Sequence, residues 1–190
     1  MSDELTGKRV AFLMANEGVE QVELTEPWAA VEAAGGTPVL LAPESGEVQA
    51  FDHLDKADTF AVDRTVAGES VDDYDALVLP GGVANPDVLR QDDDAVAFVR
   101  AAVLGGRTVA AICHAPWLLA EAGVADGRRV TSWPSLVTDL RNAGAEWLDD
   151  EVVVDANLIT SRKPDDLPAF CRQLVAAVAA EDVMIATRSQ

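Results

Sequence analysis

Short continuous apolar runs alternate along this chain with segments in which apolar positions recur every three or four residues. Arg9–Met14, Thr37–Leu41, Ala76–Leu79 and Thr108–Ile112 read as buried strands, apolar on both faces. Glu23–Ala34 has helical spacing and stops at Gly35-Gly36, and Asp94–Leu104 is closed by Gly105-Gly106. Helices are also predicted over His114–Ala122, capped by Gly123, and over Pro134–Ala143, ended by Gly144. Glu151–Asp155 and Leu158–Ser161 form two short strands about a turn at Ala156-Asn157. A last helix runs from Pro164 to Glu181, with frayed residues after it. Ala15-Asn16-Glu17-Gly18 signals a loop. Residues 43–73 are polar and irregular, with strand-like pieces around Val48-Gln49-Ala50 and Phe60-Ala61-Val62. Buried strands alternating with helices mean an α/β fold, a mostly parallel sheet with helices on both faces. The 190 residues suit one domain, with a core over about 8–181 and no linker or repeat.

Charge narrows the function. The chain carries 33 acidic and 14 basic residues, a formal net charge of −19. The acids are spread over the chain, in Asp72-Asp73, Asp92-Asp93-Asp94, Asp149-Asp150-Glu151 and Asp165-Asp166. Such a surface keeps a protein soluble where salt screens self-repulsion, which predicts a high-salt cytosol. No basic patch exists to neutralise phosphates, so nucleic acid is not an expected partner. No apolar run approaches a membrane span, and the acidic start Met1-Ser2-Asp3-Glu4 is unlike a signal peptide, which predicts a soluble cytoplasmic protein.

The two cysteines, Cys113 and Cys171, predict no disulfide in a reducing cytosol, and with only two histidines they offer no zinc spacing. Cys171 falls on an amphipathic helix and reads as a packed thiol. Cys113 differs. It stands in Val109-Ala110-Ala111-Ile112-Cys113-His114-Ala115-Pro116, between a buried strand and a helix, where α/β hydrolytic folds place a nucleophile. Unpaired N–H groups at a helix start favour thiolate, and His114 stands next to it. Equally, a buried cysteine is often only a small hydrophobe.

Sites in an open parallel sheet gather at the carboxyl ends of strands. Three segments reach that edge here: Asn16 to Glu23, Pro80-Gly81-Gly82, and Cys113-His114. They bring carboxylates, close-approaching backbone donors and a thiol. Gly81 and Gly82 can supply N–H groups to an oxyanion, although Pro-Gly-Gly alone is also an ordinary turn. Glu20 and Glu23 alone would read as acids complementing a helix dipole. No glycine-rich phosphate loop is present.

Together these segments resemble the ThiJ/PfpI superfamily, and within it the intracellular-protease-like PfpI branch. The resemblance is carried by Ala15-Asn16-Glu17-Gly18-Val19-Glu20-Gln21-Val22-Glu23-Leu24, Leu77-Val78-Leu79-Pro80-Gly81-Gly82 and Ala111-Ile112-Cys113-His114-Ala115-Pro116. Thr131-Ser132-Trp133-Pro134, Asn142-Ala143-Gly144-Ala145-Glu146-Trp147 and Glu151-Val152-Val153-Val154-Asp155 extend it over residues 8–175. It implies a flavodoxin-like three-layer sandwich with Cys113 at a strained nucleophile elbow. Glu23 would hydrogen-bond the sulfur in protonated form, with Glu20 near the same pocket. The N–H groups of Gly82 and His114 would form the oxyanion hole. Asp87, contributed by a neighbouring subunit, would complete a Cys-His-acid triad, so a homo-oligomer, dimer or hexamer, is expected. No cofactor or metal is implied. Three departures stand out. Ala115 replaces a frequent glycine, which crowds the elbow slightly and need not block it. Trp133 replaces a pocket aromatic that is often tyrosine, with an N–H donor but no hydroxyl. Asp87 is shorter than glutamate. The resemblance implies a cysteine hydrolase acting on peptides or amides. The alternatives are a glutathione-independent glyoxalase or deglycase acting on methylglyoxal or glycation adducts, and a non-enzymatic redox sensor or stress chaperone.

Overall fold

The computed structural model describes residues 3–188; Met1, Ser2, Ser189 and Gln190 lie outside it. The chain runs β1 (Arg9–Leu13), β2 (Glu17–Glu20), α1 (Gln21–Ala33), β3 (Thr37–Ala42), β4 (Glu47–Asp52), β5 (Asp55–Ala61) and β6 (Arg64–Thr65). It continues through β7 (Ala76–Leu79), α2 (Ala84–Leu89), α3 (Asp93–Leu104), β8 (Thr108–Ile112), α4 (Trp117–Glu121) and β9 (Arg129–Val130). It ends with α5 (Val137–Asn142), β10 (Glu146–Trp147), β11 (Val152–Asp155), β12 (Leu158–Ser161) and α6 (Leu167–Arg188).

Seven strands form the main sheet in the order β11-β12-β8-β7-β1-β3-β6. All neighbours are parallel except the edge pair β11 and β12. Alternation along each strand divides the core in two. Ala11, Leu77, Leu79, Val109 and Ala111 face Phe98 and Val99 of α3, Leu118 and Leu119 of α4 and Leu140 of α5. Val10, Phe12, Val78, Ala110 and Ile112 face Leu24 and Val31 of α1 and Phe170, Leu174 and Val178 of α6. Helix α3 shows why these segments coil. Asp92 caps it by accepting the Ala95 N–H at 2.8 Å, and Ala95, Phe98, Val99, Ala102 and Val103 form one buried stripe. No helix among the described residues is long and apolar enough to cross a membrane.

The structure departs from the sequence reading in local ways. The expected loop at Ala15–Gly18 leads into β2, which pairs in parallel with β4; β4 and β5 form an antiparallel hairpin whose tip is His53-Leu54. The irregular segment 43–73 thus contributes a second, three-stranded sheet. The strand-like pieces around Val48 and Phe60 fall on β4 and β5; β4 buries Val48 and Ala50, whereas β5 reads Asp-Lys-Ala-Asp-Thr-Phe-Ala and buries almost nothing, which hid its length. Helix α2 was not foreseen, being only six residues with a proline inside. Pro134–Leu136 is a 3-10 turn ahead of α5 rather than part of one helix. Helix α4 starts at Trp117 because His114 and Ala115 are spent on the turn out of β8. Helix α6 runs on past Glu181 to Arg188.

Candidate active site

Strands β1, β7 and β8 end side by side, and their carboxyl ends place the three predicted segments together. Cys113, the first residue after β8, has φ +63°, a left-handed conformation costly for a residue with a Cβ. The surrounding backbone fixes it there. The Cys113 N–H donates to Ser161 O at 3.0 Å, its carbonyl accepts from Trp133 N–H at 2.8 Å, and Ala115 N–H closes the turn onto Ile112 O at 3.0 Å. The Ala115 methyl packs into the α3–α5 side of the core, whereas Cys113 belongs to the α1–α6 side. The elbow accommodates the Ala115 methyl, which is fully buried on the α3–α5 side.

Glu23, in the first turn of α1, is 0 % exposed. Its Oε2 accepts the Gly81 N–H at 3.0 Å, and its Oε1 is buried without a hydrogen-bond partner. The carboxyl and the Cys113 side chain both pack against Gly81 and lie close enough for each to shift the other's titration. Burial, with Glu20 nearby, pushes Glu23 up from 4.5 to about 8, so it is a neutral acid at pH 7. Burial also pushes the Cys113 thiol up, opposed by the N–H groups of Gly82 and His114 directed at the sulfur. The helix-start argument anticipated a thiolate; desolvation wins, and the resting pair is a thiol beside a carboxylic acid.

The loop Pro80-Gly81-Gly82 can follow this path only with glycine. A Cβ on Gly81 would lie 2.6 Å from Cys113 Cβ and collide with Glu23 Oε2. Gly82 has φ +85°, and a Cβ there would lie 2.8 Å from Glu20 N and collide with Gly18 O. Asn85 holds the loop from beneath and was not singled out from the sequence. It is fully buried; its Oδ1 accepts the Ala15 N–H at 2.7 Å, and its Nδ2 donates to Pro80 O at 2.8 Å and Gly81 O at 3.0 Å. An asparagine just after Pro-Gly-Gly-Val-Ala was the available signal.

His114 Nδ1 lies 3.2 Å from Cys113 Sγ. Its ring stacks on Trp133 at 5.6 Å between centroids and meets the edge of Trp117 at 5.7 Å. Burial lowers it to about 4, so it is neutral at pH 7 and can accept a proton from the thiol. Among the described residues no carboxylate hydrogen-bonds its ring. Asp87, in the first turn of α2, is exposed and lines the pocket of its own chain without reaching His114. Glu20 sits at the end of β2 rather than inside the helical turn, and its carboxylate accepts the His53 N–H at 3.1 Å.

These groups floor a cavity of about 710 Å³ walled by Phe51, Leu54, Val83, Val88, Trp133 and Pro164. The apolar walls, like Asn85, were not foreseen, apart from Trp133. One grouping among the described residues has metal-ligand spacing, Glu20, Asp52 and His53, with donor atoms within 4.8 Å of one another. Two of the three are exposed, and no part of the chemistry below uses it as a metal site.

A buried acid packed on an elbow thiol at the edge of a parallel sheet defines a class, and the comparisons agree with it. The DJ-1/PfpI family model matches residues 8–177, and the chain belongs to that family. It is 41% identical over 167 residues to Deglycase PH1704 of Pyrococcus horikoshii, covering 88% of this chain and 97% of that protein. It is 39% identical over 166 residues to YraA of Bacillus subtilis, whose name proposes a cysteine protease, covering 87% of this chain and 95% of that one. Among solved structures, a two-domain Anabaena variabilis protein with dj-1/thij/pfpi-like and ferritin-like domains matches with a TM-score of 0.84 and 34% identity, over 89% of this chain and 47% of that one.

Proposed function

We propose that this protein is a cysteine-dependent glyoxalase or deglycase, which converts methylglyoxal to lactate or clears early carbonyl adducts. The observation that carries this reading is the Glu23–Cys113 pair. Thiol and neutral acid are complete within one chain, whereas His114 has no carboxylate partner there. The names of the deglycase relatives support the same reading.

The steps balance with the residues present. Cys113 Sγ bonds to the aldehyde carbon as its proton passes to His114 Nδ1 and Glu23 protonates the aldehyde oxygen. The N–H groups of Gly82 and His114 hold the developing charge. The Glu23 carboxylate then removes the proton from the sulfur-bearing carbon, and His114 returns its proton to the second oxygen, giving an enediol. Glu23 delivers the proton to the second carbon and takes back the hydroxyl proton from the first. Water cleaves the resulting thioester, releasing lactate and the thiol. The test is product analysis with methylglyoxal at high salt. Stereospecific lactate from the wild type and none from folded Cys113→Ala supports the reading; no lactate from either rejects it.

Peptide or amide hydrolysis is the second reading, favoured by the 3.2 Å Cys113–His114 contact and the uncommitted Asp87 carboxylate. It needs Asp87 of a second copy to orient His114, hence a homo-oligomer. Amide hydrolysis lost on dilution to monomer and in Asp87→Ala is its signature. A redox-sensing or chaperone role predicts oxidation of Cys113 well ahead of Cys171 under mild peroxide.

A further inference from the structure

The lining of the pocket carries a charge pattern that the proposed chemistry does not use. Glu17, Glu20 and Asp87 belong to it alongside Glu23, with His53 set 3.9 Å from Glu20, and no lysine or arginine is part of it. The Asp87 side chain has no hydrogen-bond or ion-pair partner among the described residues. Glu17 is offset only by Lys56 at 3.7 Å, both side chains being well exposed. Glu20 already acts electrostatically on the floor, since it helps to hold Glu23 protonated. The walls between these acids are apolar, and Leu54, at the hairpin tip, is 94 % exposed although it lines the cavity. About 710 Å³ is room for a drug-sized body, of which methylglyoxal fills a small part.

We infer that the pocket selects carbonyl substrates by charge: it takes uncharged or cationic substrates with an apolar body and turns anionic ones away. The inference rests on the reading of Cys113 as a carbonyl-directed nucleophile, but the selection acts on any reagent approaching that sulfur. A phosphate or carboxylate entering the pocket would meet Glu17, Glu20 and Asp87 with no lysine or arginine among the lining residues. An ammonium or guanidinium would find all three as partners. A low-dielectric apolar wall strengthens both effects. In a relative with lysine or arginine on this rim, the same floor would accept anionic adducts.

The test needs no turnover. Cys113 is labelled with a cationic reagent, trimethylammonioethyl methanethiosulfonate, and with an anionic one, sulfonatoethyl methanethiosulfonate. In each case the thiolate displaces methanesulfinate and a mixed disulfide forms. Rates at Cys113, read by peptide mass mapping, are divided by those of the unfolded chain to remove intrinsic reactivity. At low ionic strength the normalised cation-to-anion ratio is expected to be about tenfold, within the range of electrostatic focusing in clefts. It should fall as salt screens the exposed Glu17 and Asp87, and keep the part carried by the buried Glu20, which salt screens least. Glu17→Gln, which also unpairs Lys56, should lower the ratio about threefold. Asp73→Asn makes the same change in net charge at the opposite, amino edge of the sheet and should leave the ratio unchanged. A ratio near one at low salt overturns the inference, and so does an equal shift in Asp73→Asn, which would assign the effect to the field of the whole molecule. Turnover of phenylglyoxal and its 4-trimethylammonio and 4-carboxylate derivatives should follow the same order. Loss of turnover for all three with the labelling ratio intact would reject the proposed enzymatic function and leave the charge selection standing.

Discussion

The chain contains two cysteines, and their surroundings differ in a way that separates a reactive centre from a packed thiol. Burial pushes both thiols up, Cys171 to about 11, so neither is a resting thiolate. Cys171 sits on a regular helix turn with Glu26 and Arg172 as its charged neighbours. Cys113 sits at φ +63° at a strand end, with two N–H groups aimed at its sulfur, an acid against it and a histidine at 3.2 Å. Cys113 is buried and Cys171 half-buried, yet both thiols are raised, so a more acidic thiol is not what distinguishes the reactive centre. Backbone constraint is: the left-handed elbow turns Sγ towards groups that can move its proton, and a helix interior offers no such groups.

The sharpest way to break that comparison is to remove each thiol. Cys113→Ala should lower methylglyoxal turnover at least a thousandfold, in line with loss of a covalent nucleophile. Cys171→Ala should leave it within about twofold. Similar losses in steady-state kinetics would mean that the elbow has no special role.

Glu23→Gln keeps the shape and removes the acid. Turnover should fall roughly 10² to 10⁴-fold, the range of a general acid–base group. Stability should move the other way. The native state holds the Glu23 proton up to about 8, while the unfolded chain sheds it near 4.5. The native state therefore binds more protons in that window, and stability falls as pH rises through it. At pH 7 this costs on the order of 3 kcal/mol. Glu23→Gln should thus be more stable than the wild type at neutral pH, with the difference closing as pH falls towards 4.5. Denaturation midpoints at the two pH values check the sign.

The same proton shapes the rate profile. With Glu23 needed as an acid and His114 needed neutral, kcat/KM should form a plateau bounded near pH 4 and pH 8. The upper limb should vanish in Glu23→Gln. A wild-type limb that persists unchanged in the variant would assign it to another group.

A smaller effect is expected at Asn85, which touches no substrate. Asn85→Ala leaves the Ala15 N–H and the Pro80 and Gly81 carbonyls without their partner, costing about 1–3 kcal/mol for a buried group. The rate constant should fall by less than in Glu23→Gln, through loosening of the Gly81-Gly82 loop. Asn85→Asp keeps the acceptor for Ala15 N–H but sets a buried carboxyl oxygen against the Pro80 and Gly81 carbonyls, so at neutral pH it should be no more stable than Asn85→Ala and should gain on it as pH falls. Equal melting points for all three proteins would deny the loop its anchor.

The main sheet was legible because β1, β7 and β8 are apolar on both faces, which only a doubly covered parallel strand requires. The elbow was legible because Cys113 follows such a strand directly. The small sheet was legible only as strand-like pieces at Val48–Ala50 and Phe60–Val62: β4 alternates and buries Val48 and Ala50, but β5 buries almost nothing and β2 reads as a loop. Glu23 and Cys113 lie 90 residues apart, and nothing in either segment alone shows that they touch. That came from the resemblance of the combined motifs; in the structure both side chains pack against Gly81. Asn85 was missed because its value lies in three hydrogen bonds that exist only once β1 and β7 are adjacent. For Asp87 the chain shows a position on the pocket rim but no contact with its own His114.

The most direct test of the central claim is to trap the first covalent step. Glu23→Gln is mixed with methylglyoxal and its intact mass is read under native conditions, without reduction or digestion, in the single variant and in combination with Cys113→Ala or Cys171→Ala. The account predicts one reversible methylglyoxal adduct that disappears when Cys113 is also replaced and persists when Cys171 is, with little lactate in solution. Lactate formed at the wild-type rate, or an adduct that persists when Cys113 is replaced, would contradict it.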